Sequence, residues 1–263
     1  MIKFCNLFSG SSGNSLFIRS GKTSLLVDAG LPCSNIEISL RSINEDPAGI
    51  HAIILTHDHS DHMRGIEVFS KRYDIPVYAN LNTWLKIDDH TKNIKEKNKR
   101  VFCTNEIFET GGFGIFPFPI PHDAAEPVAF CLFAEGKKVT TATDIGHMND
   151  QLFDNFSGSD LLFLESNHDV NMLKIGPYPY FLKRRILGEE GHLSNEDCSK
   201  TICRLAKQGM RRFILGHLSR ENNYPALAYE TTNAALFEIG ISAGKDVSID
   251  IAPRDRTGNV VYI

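Results

Sequence analysis

The sequence has no run of roughly 18 apolar residues and no charged-then-apolar leader after Met1, so neither a membrane span nor export is expected. It also lacks a Pro-rich or Gly/Ser-rich linker, an internal repeat and any low-complexity tract, which points to one domain over residues 1–263. None of its six cysteines (Cys5, Cys33, Cys103, Cys131, Cys198, Cys203) forms a C-x-x-C pair, and several lie in apolar runs. They read as small hydrophobes, reduced in a cytoplasm, rather than as metal ligands or nucleophiles. An excess of positive charge is missing too: 28 Lys and Arg stand against 32 Asp and Glu, for a net charge of −4. That argues against a passive polyanion binder, but not against a nuclease whose cations supply local positive charge.

Histidine, by contrast, is concentrated. Residues 56–62 read Thr-His-Asp-His-Ser-Asp-His, directly after the apolar run Ala52, Ile53, Ile54, Leu55. The run reads as a buried strand, and the polar stretch sits at its C-terminal mouth. In an extended loop His57 and His59 point the same way, because side-chain direction has a period of two. Asp61 and His62 then begin a helix, expected from Met63 to about Tyr73. Three imidazoles and a carboxylate this close suit zinc, or manganese with more oxygen ligands.

Around this loop the chain alternates strands with helices. Strands are expected at residues 2–8, 15–19, 23–27, 75–79, 128–134, 138–142, 161–164, 212–215 and 247–251. Helices are expected at 33–45 (with Ser34 or Asn35 as cap), 178–187, from Ser194 to about Gln208, and 225–240. Pro117, Pro119 and Pro121 keep residues 113–121 extended. The Ser9–Asn14 loop is either ordinary hairpin chemistry or a backbone nest for an anion, which would make Ser12 and Asn14 phosphate contacts. Asp28, ending a strand, is a turn former or a carboxylate orienting a metal-bound histidine. The basic stretch 86–100 is a solvated face or a phosphate-contacting one.

Three further residues follow apolar or extended segments: His122, Asp144 and His217. Each alone reads equally as a surface, turn or core residue. Their order after H-x-H-x-D-H resembles that of the metallo-β-lactamase superfamily, the αββα four-layer α/β sandwich metallohydrolases. That resemblance implies two divalent cations, zinc or manganese. His57, His59 and His122 would hold one, Asp61, His62 and His217 the other, and Asp144 would bridge them. A hydroxide between cations about 3.5–4 Å apart is a nucleophile at neutral pH.

The substrate is suggested by further segments. Gly191-His192-Leu193-Ser194-Asn195 and Leu215-Gly216-His217-Leu218-Ser219-Arg220 resemble the phosphodiesterase branch that includes tRNase Z. The resemblance implies that His192 is no ligand but serves the leaving oxygen or the scissile phosphate, with Glu165 orienting it. His168 is a weaker partner for it. Taken with Ser9 to Ser15, Val27 to Gly30 and Thr56 to His62, these segments are most similar to the YycJ/WalJ family. That implies a 5′-to-3′ exonuclease on double-stranded DNA, linked to mismatch repair, with RNA processing or small-molecule hydrolysis (cyclic phosphodiester, thioester or lactone) as alternatives. No protein partner is implied. The interval between Asp144 and His217 is too short for a β-CASP insertion, and His147 is an extra histidine the pattern does not explain.

Overall fold

The computed structural model describes residues 1–263, which divide into two compact units. The first comprises Met1–Pro119, Ala124–Lys137 and Pro253–Ile263. It begins with strands β1 (Ile2–Phe8), β2 (Ser15–Ser20) and β3 (Thr23–Val27), then helix α1 (Cys33–Ser42) and strand β4 (Ile50–Ile54). Helices α2 (Ser60–Met63) and α3 (Ile66–Tyr73) follow, then β5 (Val77–Ala79), α4 (Leu81–Ile87), β6 (Lys99–Val101), β7 (Phe108–Thr110), β8 (Phe113–Pro119) and β9 (Val128–Ala134). The second unit, Ile120–Asp123 with Lys138–Ala252, holds β10 (Lys137–Ala142, less its first residue), α5 (Asp150–Phe156), β11 (Leu161–Glu165), α6 (Val170–Ile175), α7 (Tyr180–Ile186), α8 (Asn195–Lys207), β12 (Arg212–Gly216), α9 (Pro225–Glu238) and β13 (Ser248–Ile251). The chain returns to the first unit in β14 (Val261–Tyr262), which pairs with β1.

In the first unit the strand order is β14-β1-β2-β3-β4-β5-β6. The β1–β2–β3 ribbon is antiparallel, whereas β3 to β6 run parallel. Phe17, Leu26, Ile53, Ile66, Phe69 and Trp84 meet in one buried cluster. Each such side chain contributes about 1.5–3 kcal/mol by leaving water. Strands β7, β8 and β9 form an antiparallel meander. In the second unit β10 to β13 run parallel. Helix α8 buries Ile202 and Leu205 and is tied to α9 by a Ser199–Thr232 hydroxyl bond of 3.0 Å. No helix is long and apolar enough to cross a membrane.

Several expected boundaries shift for local reasons. Helix α1 starts after Pro32, whose fixed φ of −50° suits helix entry, and neither Ser34 nor Asn35 is the cap. The expected helix after the metal loop is two helices, beginning at Ser60 and broken at Gly65. There the Gly65 amide donates to Ala29 O at 2.7 Å, and a Cβ would sit 2.1 Å from Leu31 O. Pro76 delays β5 to Val77. Residues 86–100 include the end of α4 and edge strand β6. Its Lys92, Lys95, Lys97 and Lys99 pair with Asp89, Asp74, Asp74 and Asp88, so four of its cations are spent on local surface pairs. Helix α8 begins where expected, with Ser194 Oγ accepting from the Asp197 amide.

Candidate metal-binding site

In the first unit the site is built at the C-terminal ends of neighbouring parallel strands. The register pairs Val27 with Ile54, so the next residues, Asp28 and Leu55-Thr56, leave the sheet side by side. Asp28 is buried and takes a left-handed φ of 62°, which turns its carboxylate toward the loop. Its Oδ1 accepts from the Thr56 amide at 2.8 Å and its Oδ2 from the Thr56 hydroxyl at 2.9 Å. Oδ2 also accepts from His62 Nδ1 at 2.8 Å. With its proton given to Asp28, the Thr56 oxygen accepts from His57 Nδ1 at 2.9 Å. The His59 ring stands edge-on to His57 with centroids 4.7 Å apart. Asp61 Oδ2 lies 3.8 Å from His62 Nε2.

The Ser9–Asn14 loop braces this cluster. Asn14 is buried; its amide N–H donates to Asp61 O at 2.7 Å, and its side-chain nitrogen donates to His62 Nε2 at 2.9 Å. Ser12 is exposed at the loop tip, its hydroxyl 3.3 Å from Asp255. Gly30 is required by the close pass of the metal loop, since a Cβ there would lie 1.6 Å from Asp61 O.

The second unit repeats the device. Registers pair Ala142 with Leu164 and Glu165 with Gly216, so Asp144, Glu165 and His217 emerge together at three strand ends. Asp144 and His217 both adopt left-handed backbone, with φ of 60° and 55°. Such conformations cost of order 1–3 kcal/mol in a non-glycine residue and are held by their surroundings. Ligand atoms of Asp144, Glu165, His192 and His217 lie within 4.8 Å of one another. Fully buried Glu165 is their hub. Its Oε1 accepts from His217 Nδ1 at 2.7 Å and from His192 Nδ1 at 2.8 Å; Oε2 accepts from the amides of Ile145 at 2.7 Å and Leu193 at 3.1 Å. Burial alone would raise its pKa, but the two histidines outweigh burial and hold it at about 2. The carboxylate is therefore ionised at neutral pH. His122 Nδ1 donates to Gly191 O at 3.2 Å; burial lowers the pKa of this histidine, against the pull of Asp144, so its imidazole is neutral, as a ligand must be.

His57, His62, His122 and His217 thus commit Nδ1 to a hydroxyl, carboxylate or carbonyl of the protein. That hydrogen bonding assigns the tautomer and leaves Nε2 as the nitrogen with a lone pair for a cation; at His62 that lone pair accepts from Asn14, a bond a cation would replace. The donor set, imidazole nitrogens with carboxylates, fits zinc or manganese. His147 lies apart, its Nδ1 donating to Glu189 O at 2.9 Å. His168 is buried beside Ser194, and burial pushes its pKa down to about 4. Sequence reasoning missed the bonds of Glu165 to His217 and of Asn14 to His62; nothing in the local sequence marks either one.

Comparison with known proteins places these side chains in a family. A profile of the metallo-β-lactamase superfamily matches residues 9–217, and the fold, two mixed sheets with helices, is the one that superfamily shares. The metallo-β-lactamase fold protein YhfI from Bacillus subtilis is similar at a TM-score of 0.72 and 18% identity, over 98% of this chain and 100% of that one. At the sequence level, exodeoxyribonuclease YycJ of Bacillus anthracis is 35% identical over 257 residues, 97% of each chain. Exodeoxyribonuclease WalJ of Streptococcus pneumoniae is 35% identical over 258 residues, 97% of this chain and 96% of the relative. The chain belongs to the YycJ/WalJ family of metallo-β-lactamase-fold enzymes, a fold that implies divalent metal ions.

Proposed function

We propose that the protein is a dinuclear-metal nuclease that degrades double-stranded DNA from 5′ ends, in the cytoplasm, in support of mismatch repair. The whole chain 1–263 would act as one catalytic domain. The observation that carries this reading is the Glu165 hub, in which one buried carboxylate holds both a ligand-type histidine, His217, and a partly buried companion, His192. A histidine so placed, beside the ligand cluster but following a Gly at a helix entry, suits work on a phosphodiester. The relatives named exodeoxyribonucleases support DNA as the polymer.

In this reading His57, His59 and His122 hold one ion, Asp61, His62 and His217 the other, with Asp144 shared. When bound, the two cations supply charge neutralisation at the phosphate and an activated water. Asp28 fixes the His62 ring and, through Thr56, the His57 ring. Glu165 fixes the rings of His217 and His192. With Nδ1 held by Glu165, a protonated His192 carries its second proton on Nε2 and gives it to the departing 3′ oxygen as the P–O bond breaks. Asp61 contributes charge as a ligand. Ser12, at the exposed loop tip, contacts a substrate phosphate, and Asn14 sets the height of that loop on Asp61. Incubation with end-labelled single- and double-stranded DNA and RNA, with added Mn²⁺ or Zn²⁺, tests the reading. Preferential loss of double-stranded DNA supports it; turnover confined to small esters would replace it with a small-molecule hydrolase.

A further inference from the structure

Beside the second unit's site the chain makes an exposed elbow that the mechanism does not use. Helix α6 ends at Ile175, and Gly176-Pro177-Tyr178-Pro179 leads into α7. Ile175, Tyr180 and Phe181 are 86%, 76% and 74% exposed. Leaving three large apolar side chains in water along seven residues is unfavourable unless something covers them. The elbow is firmly set. Two prolines restrict its backbone, and the Gly176 amide donates to Met172 O at 2.7 Å. A Cβ on Gly176 would sit 2.8 Å from Asn222 Oδ1, and the Asp169 amide, at the start of α6, donates to Asn222 O.

The charges around these side chains bear on what could cover them. Lys174, Lys183 and Arg184 form no ion pair, and Lys183 Nζ bonds only the Lys174 carbonyl, at 2.8 Å. Tyr180 and Arg184 stand four residues apart on α7 and share a face. Glu189 and Glu190 come next in the chain, and Glu189 faces His147. The elbow also joins the site within its own unit. Arg185 clamps Asp123 through Nε and Nη2, next to His122, while Ile186 O accepts from the His192 amide at 3.0 Å. Exposed rings beside unpaired cations fit a polymer with alternating flat apolar and anionic parts: bases stack on the rings while phosphates meet the cations.

We infer that Tyr180 and Phe181 form a stacking platform for unpaired bases of a DNA end, beside Lys174, Lys183 and Arg184 as phosphate contacts. The platform rests on the nuclease reading and deepens it. Beyond the outer face of its terminal pair, a duplex offers no base to a protein ring until it is unpaired, so two rings side by side suit a melted end held for the site.

The test uses the full-length, metal-loaded protein and a phosphorothioate-linked duplex with a short unpaired 5′ end carrying 2-aminopurine. Wild type should quench the 2-aminopurine on binding. Tyr180→Ala with Phe181→Ala should abolish the quenching and weaken affinity for this end about tenfold or more. Hydrolysis of bis-p-nitrophenyl phosphate should be unchanged, and Tyr180→Phe should behave as wild type. Unchanged quenching and affinity in the double variant, with DNA degradation intact, would overturn the platform alone. A concentration-dependent dimer dispersed by the double variant, with DNA affinity unaltered, would assign the face to a second copy of the chain and overturn it too. Wild type that neither binds nor cuts DNA would overturn the nuclease reading and the platform with it.

Discussion

His168 offers a test of the site's architecture that needs no substrate. It is 1% exposed, and neither ring nitrogen has a hydrogen-bond partner. Burial disfavours the imidazolium more than nearby Glu165 favours it, and its pKa falls from 6.5 to about 4. Between those values the unfolded chain takes up a proton at this side chain that the folded chain refuses. Stability from this residue is therefore fully present above pH 6.5 and is lost as the pH falls through about 4. At about 1.4 kcal/mol per tenfold, the loss amounts to roughly 3 kcal/mol. Glu165, held at about 2, loses its contribution in a lower window, from its ordinary 4.5 downward. The perturbation is His168→Leu, which removes two unsatisfied nitrogens while keeping an apolar side chain in place. At pH 7 the variant should be within about 1 kcal/mol of wild type, or more stable. Urea unfolding of both metal-free proteins from pH 7 to 4 should show the wild type losing about 3 kcal/mol more than the variant. Parallel curves would mean that His168 is charged or paired in the folded chain, and the reasoning would be wrong.

Three other outcomes follow from the site. His192→Ala should keep its metal content while kcat on DNA drops by about 10²–10⁴, with a smaller loss on a p-nitrophenyl phosphodiester, whose leaving group scarcely needs a proton; loss of an ion on this substitution would make His192 a ligand. Asp28→Ala should weaken metal affinity about 10–100-fold, because it frees the His62 ring and the Thr56 hydroxyl that holds His57; competition with a chelator reads this directly, and unchanged affinity would reduce Asp28 to a turn residue. Metal analysis after gentle loading should approach two equivalents per chain and fall in Asp144→Ala; saturation at one ion in both would remove the shared-carboxylate arrangement.

What the sequence could disclose was local. The H-x-H-x-D-H spacing after an apolar run, the Ser194 cap and the apolar strand runs all act over a few residues, and their patterns survive in one dimension. The separation of α2 from α3 was not legible, because Gly65 is dictated by the backbones of Ala29 and Leu31, far back in the chain. Nor was the left-handed backbone at Asp28, Asp144 and His217, since none is a glycine and only the assembled strand ends hold such conformations. Helices α5 and α6 are only seven and six residues long, too short for a clear periodic pattern. The link of Glu165 to His217 depends on β11–β12 register, which pairs Glu165 with Gly216 across 51 positions. Basic residues 86–100 were ambiguous because charge patterning shows cations but not the Asp74, Asp88 and Asp89 carboxylates folded against them.

The central claim, a metal-dependent nuclease entering DNA from its 5′ ends, is tested most directly by one digestion. Linear duplex DNA labelled on either the 5′ or the 3′ strand end is incubated with the Mn²⁺-loaded protein, and products are resolved over time. The expected result is early release of short 5′-labelled product while the 3′-labelled strand shortens progressively, with both abolished by a chelator. Release of label from 3′ ends first, internal cuts in circular DNA at the same rate, or DNA left intact would contradict it.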